Sequence, residues 1–250
     1  MSNQRHIPVY AHRFGGKYGP EGSRKALEKS LGHRVEGVEC DVIMSADEEI
    51  FCLHDPDLSL STNLEGWAED HPAEEIAAGR IRDVRGDVSD EPPLRLREVL
   101  DLIPSDLPLQ VDVKSYVRHE LAERTTQRAC DIIREHGTGD RVEVISFFTR
   151  ACQIASADGI ATRLVAWADY APDALVKWLA ERGFSGMSYE GFILSQELAD
   201  TIHGAGFTMS VGAVNNRVQA ERLLPFAPDI IVSDRPAEVR DILRELGAHD

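Results

Sequence analysis

Histidines, carboxylates and strong cations recur at the ends of short apolar runs. His12-Arg13 closes the run Val9-Tyr10-Ala11, Glu39-x-Asp41 lies inside Gly37–Ile43, His54-Asp55 ends Glu49–His54, and Asp112-x-Lys114 ends Leu109–Lys114. Side chains two apart on an extended chain point to one face, so Glu39 and Asp41 can grip a single cation. Asp112 and Lys114 share a face opposite that of Val111 and Val113. Buried carboxylates without a partner cost several kcal/mol and therefore need a metal or cationic side chains. Two imidazoles that titrate near neutrality can divide acid and base roles. The set suits cation-assisted acid–base chemistry, although each piece has a plainer reading: a capping histidine, a solvent-facing acid, or Lys114 simply neutralising Asp112.

Such residues work only if the elements bring them together. Strands are expected at Val9–His12, Gly37–Ile43, Leu109–Lys114, Val142–Ser146, Arg163–Ala166, Ser185–Ser188, Phe207–Val211 and Asp229–Ser233. Glu49–His54 follows the turn-like Ser45-Ala46-Asp47-Glu48 and reads as a hairpin extension. Amphipathic segments fall between them at Ser23–His33, Leu94–Leu102, Val117–His136, Thr149–Ala157, Ala174–Arg182, Ser195–Ala205, Arg217–Leu224 and Pro236–Leu246. Ser23, Ser195 and Asp234-Arg235-Pro236 look like helix starts, and Gly183, Gly206 and Gly247 like stops. Eight strand–helix units predict an α/β fold, a (β/α)8 TIM barrel, with a doubly wound open sheet as the competitor. Barrel enzymes take their catalytic groups from the C-terminal ends of the strands, where these residues fall. The irregular Asp55–Pro93 stretch reads as a small insertion after the second strand, with a helical turn near Ala73–Ala78, within a single domain spanning 1–250.

Composition narrows the class. The chain has 250 residues, 42% of them hydrophobic, and a formal charge of −16, with charges interspersed. One large core is affordable at this size, disorder is excluded, and nucleic-acid binding through phosphate contacts is disfavoured. No stretch reaches the roughly 20 apolar residues of a spanning helix. Met1–His6 lacks an apolar export signal, and Cys40, Cys52, Cys130 and Cys152 show no metal or staple spacing. A cytoplasmic location is expected.

The order of motifs resembles the glycerophosphodiester phosphodiesterases. Tyr10-Ala11-His12-Arg13, Gly19-Pro20-Glu21-Gly22-Ser23, Val38-Glu39-Cys40-Asp41-Val42 and His54-Asp55-Pro56-Asp57-Leu58 carry the likeness in the first half. Pro93–Leu100 and Asp229–Pro236 continue it. The resemblance implies a barrel with an insertion after the second strand and metal ligands at Glu39, Asp41 and Asp112. It also implies a catalytic pair at His12 and His54, phosphate contacts from Arg13 and Lys114, and a small-molecule phosphodiester as substrate.

Oxygen-only ligands suit one divalent cation, Mg²⁺ or Ca²⁺, rather than zinc. A phosphodiester has a poor alkoxide leaving group, so hydrolysis needs charge stabilisation and a proton donor. His54 is assigned as general acid and His12 as base or nucleophile, an assignment that could be reversed. Four departures from the family stand out: Phe14-Gly15-Gly16 where glycine follows directly, Gly22 for Asn, Asp112 for the usual Glu, and Gly212-Ala213-Val214-Asn215 for Trp-Thr-Val-Asn. They leave open a phospholipase D-like activity on lysophospholipids, or a silent phosphodiester-binding barrel. Tyr18 and Trp67 are candidates to line the cleft. The alcohol moiety and the oligomeric state are not legible.

Overall fold

A computed structural model of the chain describes residues 6–114, 118–166, 168 and 170–249. The strands are β1 (Val9–Ala11), β2 (Gly37–Met44), β3 (Ile50–Phe51), β4 (Leu109–Val113), β5 (Val142–Ser146), β6 (Ala161–Ala166), β7 (Gly186–Glu190), β8 (Thr208–Gly212) and β9 (Ile230–Ser233). All but β3 run parallel, and the sheet closes because β1 pairs with both β2 and β9. The result is the closed eight-stranded (β/α)8 barrel. β3 is antiparallel to β2, pairing Ile43 with Phe51 and Met44 with Ile50, which makes it the expected hairpin extension.

The helices are α1 (Arg24–Gly32), α2 (Leu58–Ser61), α3 (Ala73–Ala78), α4 (Leu96–Leu102), α5 (His119–His136), α6 (Thr149–Ala157), α7 (Pro172–Arg182), α8 (Gln196–Gly204), α9 (Arg217–Leu223) and α10 (Pro236–Glu245). Ser23 and Ser195 cap α1 and α8, accepting from the amides of Ala26 and Leu198. Gly183, Gly206 and Gly247 take the left-handed conformation at helix ends, the glycine-favoured stop. Helix α7 starts earlier than expected because Pro172 is preset for the first helical position. The predicted start of α5 at Val117 lies outside the described residues.

Strands β2 and β4 are buried at every position, as a barrel covered by helices requires. Their faces nonetheless differ chemically. Val38, Cys40 and Val42 join Val111, Val113 and helix side chains in one apolar cluster, so Glu39, Asp41 and Asp112 face the barrel axis.

The 55–93 stretch is more ordered than an irregular loop. It carries α2 and α3, and bridges tie Thr62 to Ile81 and Arg82 to Val88. Leu58, Ala68, Ala73, Ile76 and Ile81 pack with Ile43, Phe51 and Leu53 into a cluster of their own. Its few long apolar residues are spaced by turns, so no single periodicity announces this lobe.

Candidate active site

The first strand ends in a forced turn. Arg13 (φ 49°), Phe14 (φ 63°) and Gly15 (φ 85°) are all left-handed, a conformation costing roughly 1–2 kcal/mol at a non-glycine residue. Phe14 is fully buried in the main apolar cluster, and its carbonyl accepts from Ser30 Oγ at 2.7 Å. Those contacts hold the strain, and the turn aims the Arg13 amide at Glu39 Oε2, 2.8 Å away. Phe14, a departure from the family's glycine, is thus an anchor.

Register assembles the acids. Asp41 on β2 sits directly beside Asp112 on β4, and Glu39 beside Gln110. Glu39, Asp41 and Asp112 are all buried, with ligand oxygens within 4.8 Å of one another. Lys114 Nζ reaches Asp112 Oδ2 at 2.6 Å and Asp41 Oδ1 at 3.2 Å. Arg13 Nε lies 3.1 Å from Asp41 Oδ2, and its NH1 is 2.6 Å from Glu21 Oε2. Lys114 therefore does neutralise Asp112, and Arg13 is shared between two carboxylates. Both cations also line the cavity above the acids.

The electrostatics follow from burial and from who stands next to whom. Burial and the neighbouring Asp41 push the Glu39 carboxyl up to about 7. Burial raises Asp112 as well, with Lys114 opposing it. Asp41 is also penalised by burial, but Lys114 and Arg13 outweigh that and hold it well below the usual carboxylate range. Arg13 and Lys114 serve a site of four carboxylates, Glu21 included, and Asp112 Oδ1 is buried with no hydrogen-bond partner among the described residues. An all-oxygen donor set with an orphaned carboxylate oxygen fits a hard divalent cation.

His12 and His54 line the same cavity as the three acids. His12 Nδ1 is 2.7 Å from Asp234 Oδ1, and His54 Nδ1 is 3.0 Å from Asp55 Oδ1. A carboxylate only accepts, so each Nδ1 carries the proton and each Nε2 is left for chemistry. Burial would lower the His12 pKa, but the Asp234 hydrogen bond and the Glu39 charge raise it overall. Asn215 holds Asp234 in turn, donating from Nδ2 to Oδ2 at 2.6 Å and accepting the Asp234 amide at 2.9 Å.

Two adjoining cavities, of about 250 and 240 Å³, share Arg13, Asp41 and His54. The first is walled by Phe147, Tyr189, Gly212 and Ala213, the second by Leu60, Ile81, Arg82 and Val84 of the 55–93 lobe. Gly212 and Ala213 occupy the wall where the family motif would place an aromatic ring. Neither Tyr18 nor Trp67 lines these cavities. Tyr18 instead donates to Glu238 Oε2 at 2.6 Å and accepts the Ala237 amide, pinning the first loop to α10.

Sequence reasoning passed over Asp234, Asn215, Glu21 and Asp55 as site residues. By sequence Asp234 is expected at a helix start, but its carboxylate goes to His12 and Asn215, and Arg235 takes the cap position without a side-chain cap bond. Nothing local connects residues 222 positions apart; only the closing motif could have flagged it.

Comparison with known proteins bears on the family and the fold. The model of the glycerophosphoryl diester phosphodiesterase family matches residues 12–238. A glycerophosphodiester phosphodiesterase of Bacillus altitudinis is 26% identical over 255 residues, covering 95% of this chain and 98% of its own. An Oleispira antarctica phosphodiesterase solved with the product sn-glycerol-3-phosphate superposes with a TM-score of 0.85 at 22% identity, covering 96% of this chain and 97% of its own. A glycerophosphodiester phosphodiesterase of Parabacteroides distasonis gives 0.78 at 22% identity, covering 97% and 98% of the two chains.

Proposed function

The chain belongs to the glycerophosphoryl diester phosphodiesterase family and is accordingly a phosphoric diester hydrolase, and from that premise we propose how its residues cleave a glycerophosphodiester to an alcohol and glycerol 3-phosphate. The observation that carries the reading is the buried Glu39–Asp41–Asp112 cluster facing the cavity that His12 and His54 line. The Oleispira relative's bound product is a small phosphate ester, in keeping with a cavity of this size. We take residues 1–250 to act as one such domain, with 55–93 forming part of the cavity wall.

Glu39, Asp41 and Asp112 would hold one divalent cation, Mg²⁺ or Ca²⁺, which supplies Lewis-acid neutralisation of the phosphoryl oxygens. Arg13 and Lys114 line the cavity with donors already facing anions, so a phosphodiester oxygen can share them. His12, made more basic by Asp234, accepts through Nε2 a proton from the water that attacks phosphorus. As the new P–O bond forms, the bond to the departing alcohol breaks. His54 delivers a proton from Nε2 to that alkoxide, so both products leave with closed shells. The buried, unpaired cysteines fit a cytoplasmic, reducing location.

The test is hydrolysis of glycerophosphocholine and other glycerophosphodiesters, beside lysophosphatidylcholine, in EDTA and with Mg²⁺ or Ca²⁺ restored. We expect turnover of the deacylated diesters that EDTA abolishes and a cation recovers. Full turnover in excess EDTA would remove the cation from the mechanism. Turnover of the lysolipid alone would move the substrate class to lysophospholipids.

A further inference from the structure

A second cluster of metal-ligating groups sits at the opposite end of the barrel, among residues the hydrolytic site does not use. Glu36 immediately precedes β2 and Val9 opens β1, so both mark the N-terminal ends of the strands. The Glu36 carboxylate meets His6 Nε2 at 2.5 Å through Oε1 and His249 Nε2 at 2.8 Å through Oε2. The His6 and His249 rings lie 4.2 Å apart, and the ligand atoms of all three residues lie within 4.8 Å of one another.

Backbone geometry fixes this convergence. The Ile7 amide bonds the Ala248 carbonyl at 3.0 Å, which brings the neighbouring His6 and His249 to one edge. Val9 donates its amide to Glu36 Oε2 at 3.0 Å, fixing the carboxylate between them. His249 is buried. Three chain segments, from before β1, before β2 and after α10, thus present two imidazole nitrogens and a carboxylate oxygen to one point.

We propose that His6, Glu36 and His249 form a binding site for a borderline divalent transition-metal ion, Zn²⁺ or its neighbours, that ties both chain ends to the barrel floor. The donor set differs from that of the hydrolytic cluster. Imidazole with carboxylate selects Zn²⁺, Co²⁺ or Ni²⁺, whereas three carboxylates select Mg²⁺ or Ca²⁺. Tetrahedral bonds of roughly 2.0–2.1 Å place adjacent donor atoms about 3.3 Å apart, so the 2.5 and 2.8 Å contacts to Glu36 would open by about half to one ångström on binding the ion. Water would complete the shell on the side of the more exposed His6.

The experiment is calorimetric titration of the full chain with Zn²⁺ in excess Mg²⁺, which keeps the carboxylate cluster filled. The wild type is compared with His6→Gln and His249→Gln. We expect one zinc per chain, with affinity falling in each variant by more than the roughly 10–100-fold that loss of an outer-shell partner alone costs. Absence of zinc binding, or binding unchanged in both variants, overturns the proposal. Circular dichroism of the metal-free variants checks that they fold. X-ray absorption on the zinc-loaded wild type is independent of any variant and must show two imidazole ligands; an oxygen-only shell also overturns it.

Discussion

His12 and His54 leave one element each and meet over the same carboxylates, with Nδ1 of both committed to an acid. Replacing either by Ala should lower kcat by roughly 10²–10⁴-fold, the range of positioned acid–base groups, with the melting curve retained; near-normal turnover in steady-state assays would rule that histidine out. Asp234 is a positioning residue, because it acts through the imidazole. In Asp234→Asn the His12 pKa should fall, so the acidic limb of the kcat/KM profile moves to lower pH while kcat drops by about 10²-fold or more. The same pair sets a stability window. The raised His12 pKa contributes stability present below the ordinary histidine value of 6.5 and lost as pH rises through the folded value. Asp234 is lowered from 3.8, burial opposing and the His12 hydrogen bond prevailing, so its contribution is present above that value and lost as pH falls through the folded one. Wild type minus Asp234→Asn should therefore show its largest stability gap between about pH 4 and 6.5 in denaturant titrations. A gap independent of pH would show that the ion pair is not its source.

At the scale of elements, the loop from β1 to α1 is where local rules are broken. Three left-handed residues in a row aim Arg13, and Gly22 (φ 73°) lets the loop pass the strand extension. A Cβ at Gly22 would lie 2.5 Å from the Cys52 carbonyl oxygen, a backbone atom that cannot swing aside. Gly22→Ala should cost about 1–3 kcal/mol, read as a lower urea midpoint at unchanged slope. No loss would mean that the loop relaxes away from Cys52. The regular elements were legible from periodicity, since the eight barrel strands reappear within two residues of expectation and α6 and α3 run over Thr149–Ala157 and Ala73–Ala78 as read, whereas the extension expected over Glu49–His54 ends at Phe51 and leaves His54 beyond it. The rest of the 55–93 lobe was not, because short turns and bridges have no period.

Across the whole molecule, a charge of −16 surrounds a cavity that must take an anion. Contact-range fields decide this, since distant surface charges are screened within about 10 Å at moderate salt, while Arg13, Lys114 and the bound cation would act at the phosphate itself. Because three buried acids are packed together and Asp112 Oδ1 has no hydrogen-bond partner among the described residues, binding the cation should also stabilise the fold. At 100 times its Kd the gain is about 2.7 kcal/mol, seen as a rise in Tm with Mg²⁺ or Ca²⁺ that Asp112→Asn blunts. A Tm indifferent to divalent ions in the wild type would argue against a preformed site.

Residue types two apart on buried strands, and strand–helix alternation, were enough to suggest a barrel, with an open sheet still in competition, and to nominate its acids and histidines, because both signals are local and repeat along the chain; closure itself is seen only where β1 pairs with both β2 and β9. What the polypeptide could not announce is who answers whom across the closed sheet. Lys114 turned also onto Asp41, Asp234 seated under His12 by Asn215, and His249 brought beside His6 all join residues from separate elements that only the tertiary fold makes neighbours, and spacing along a chain carries no record of that.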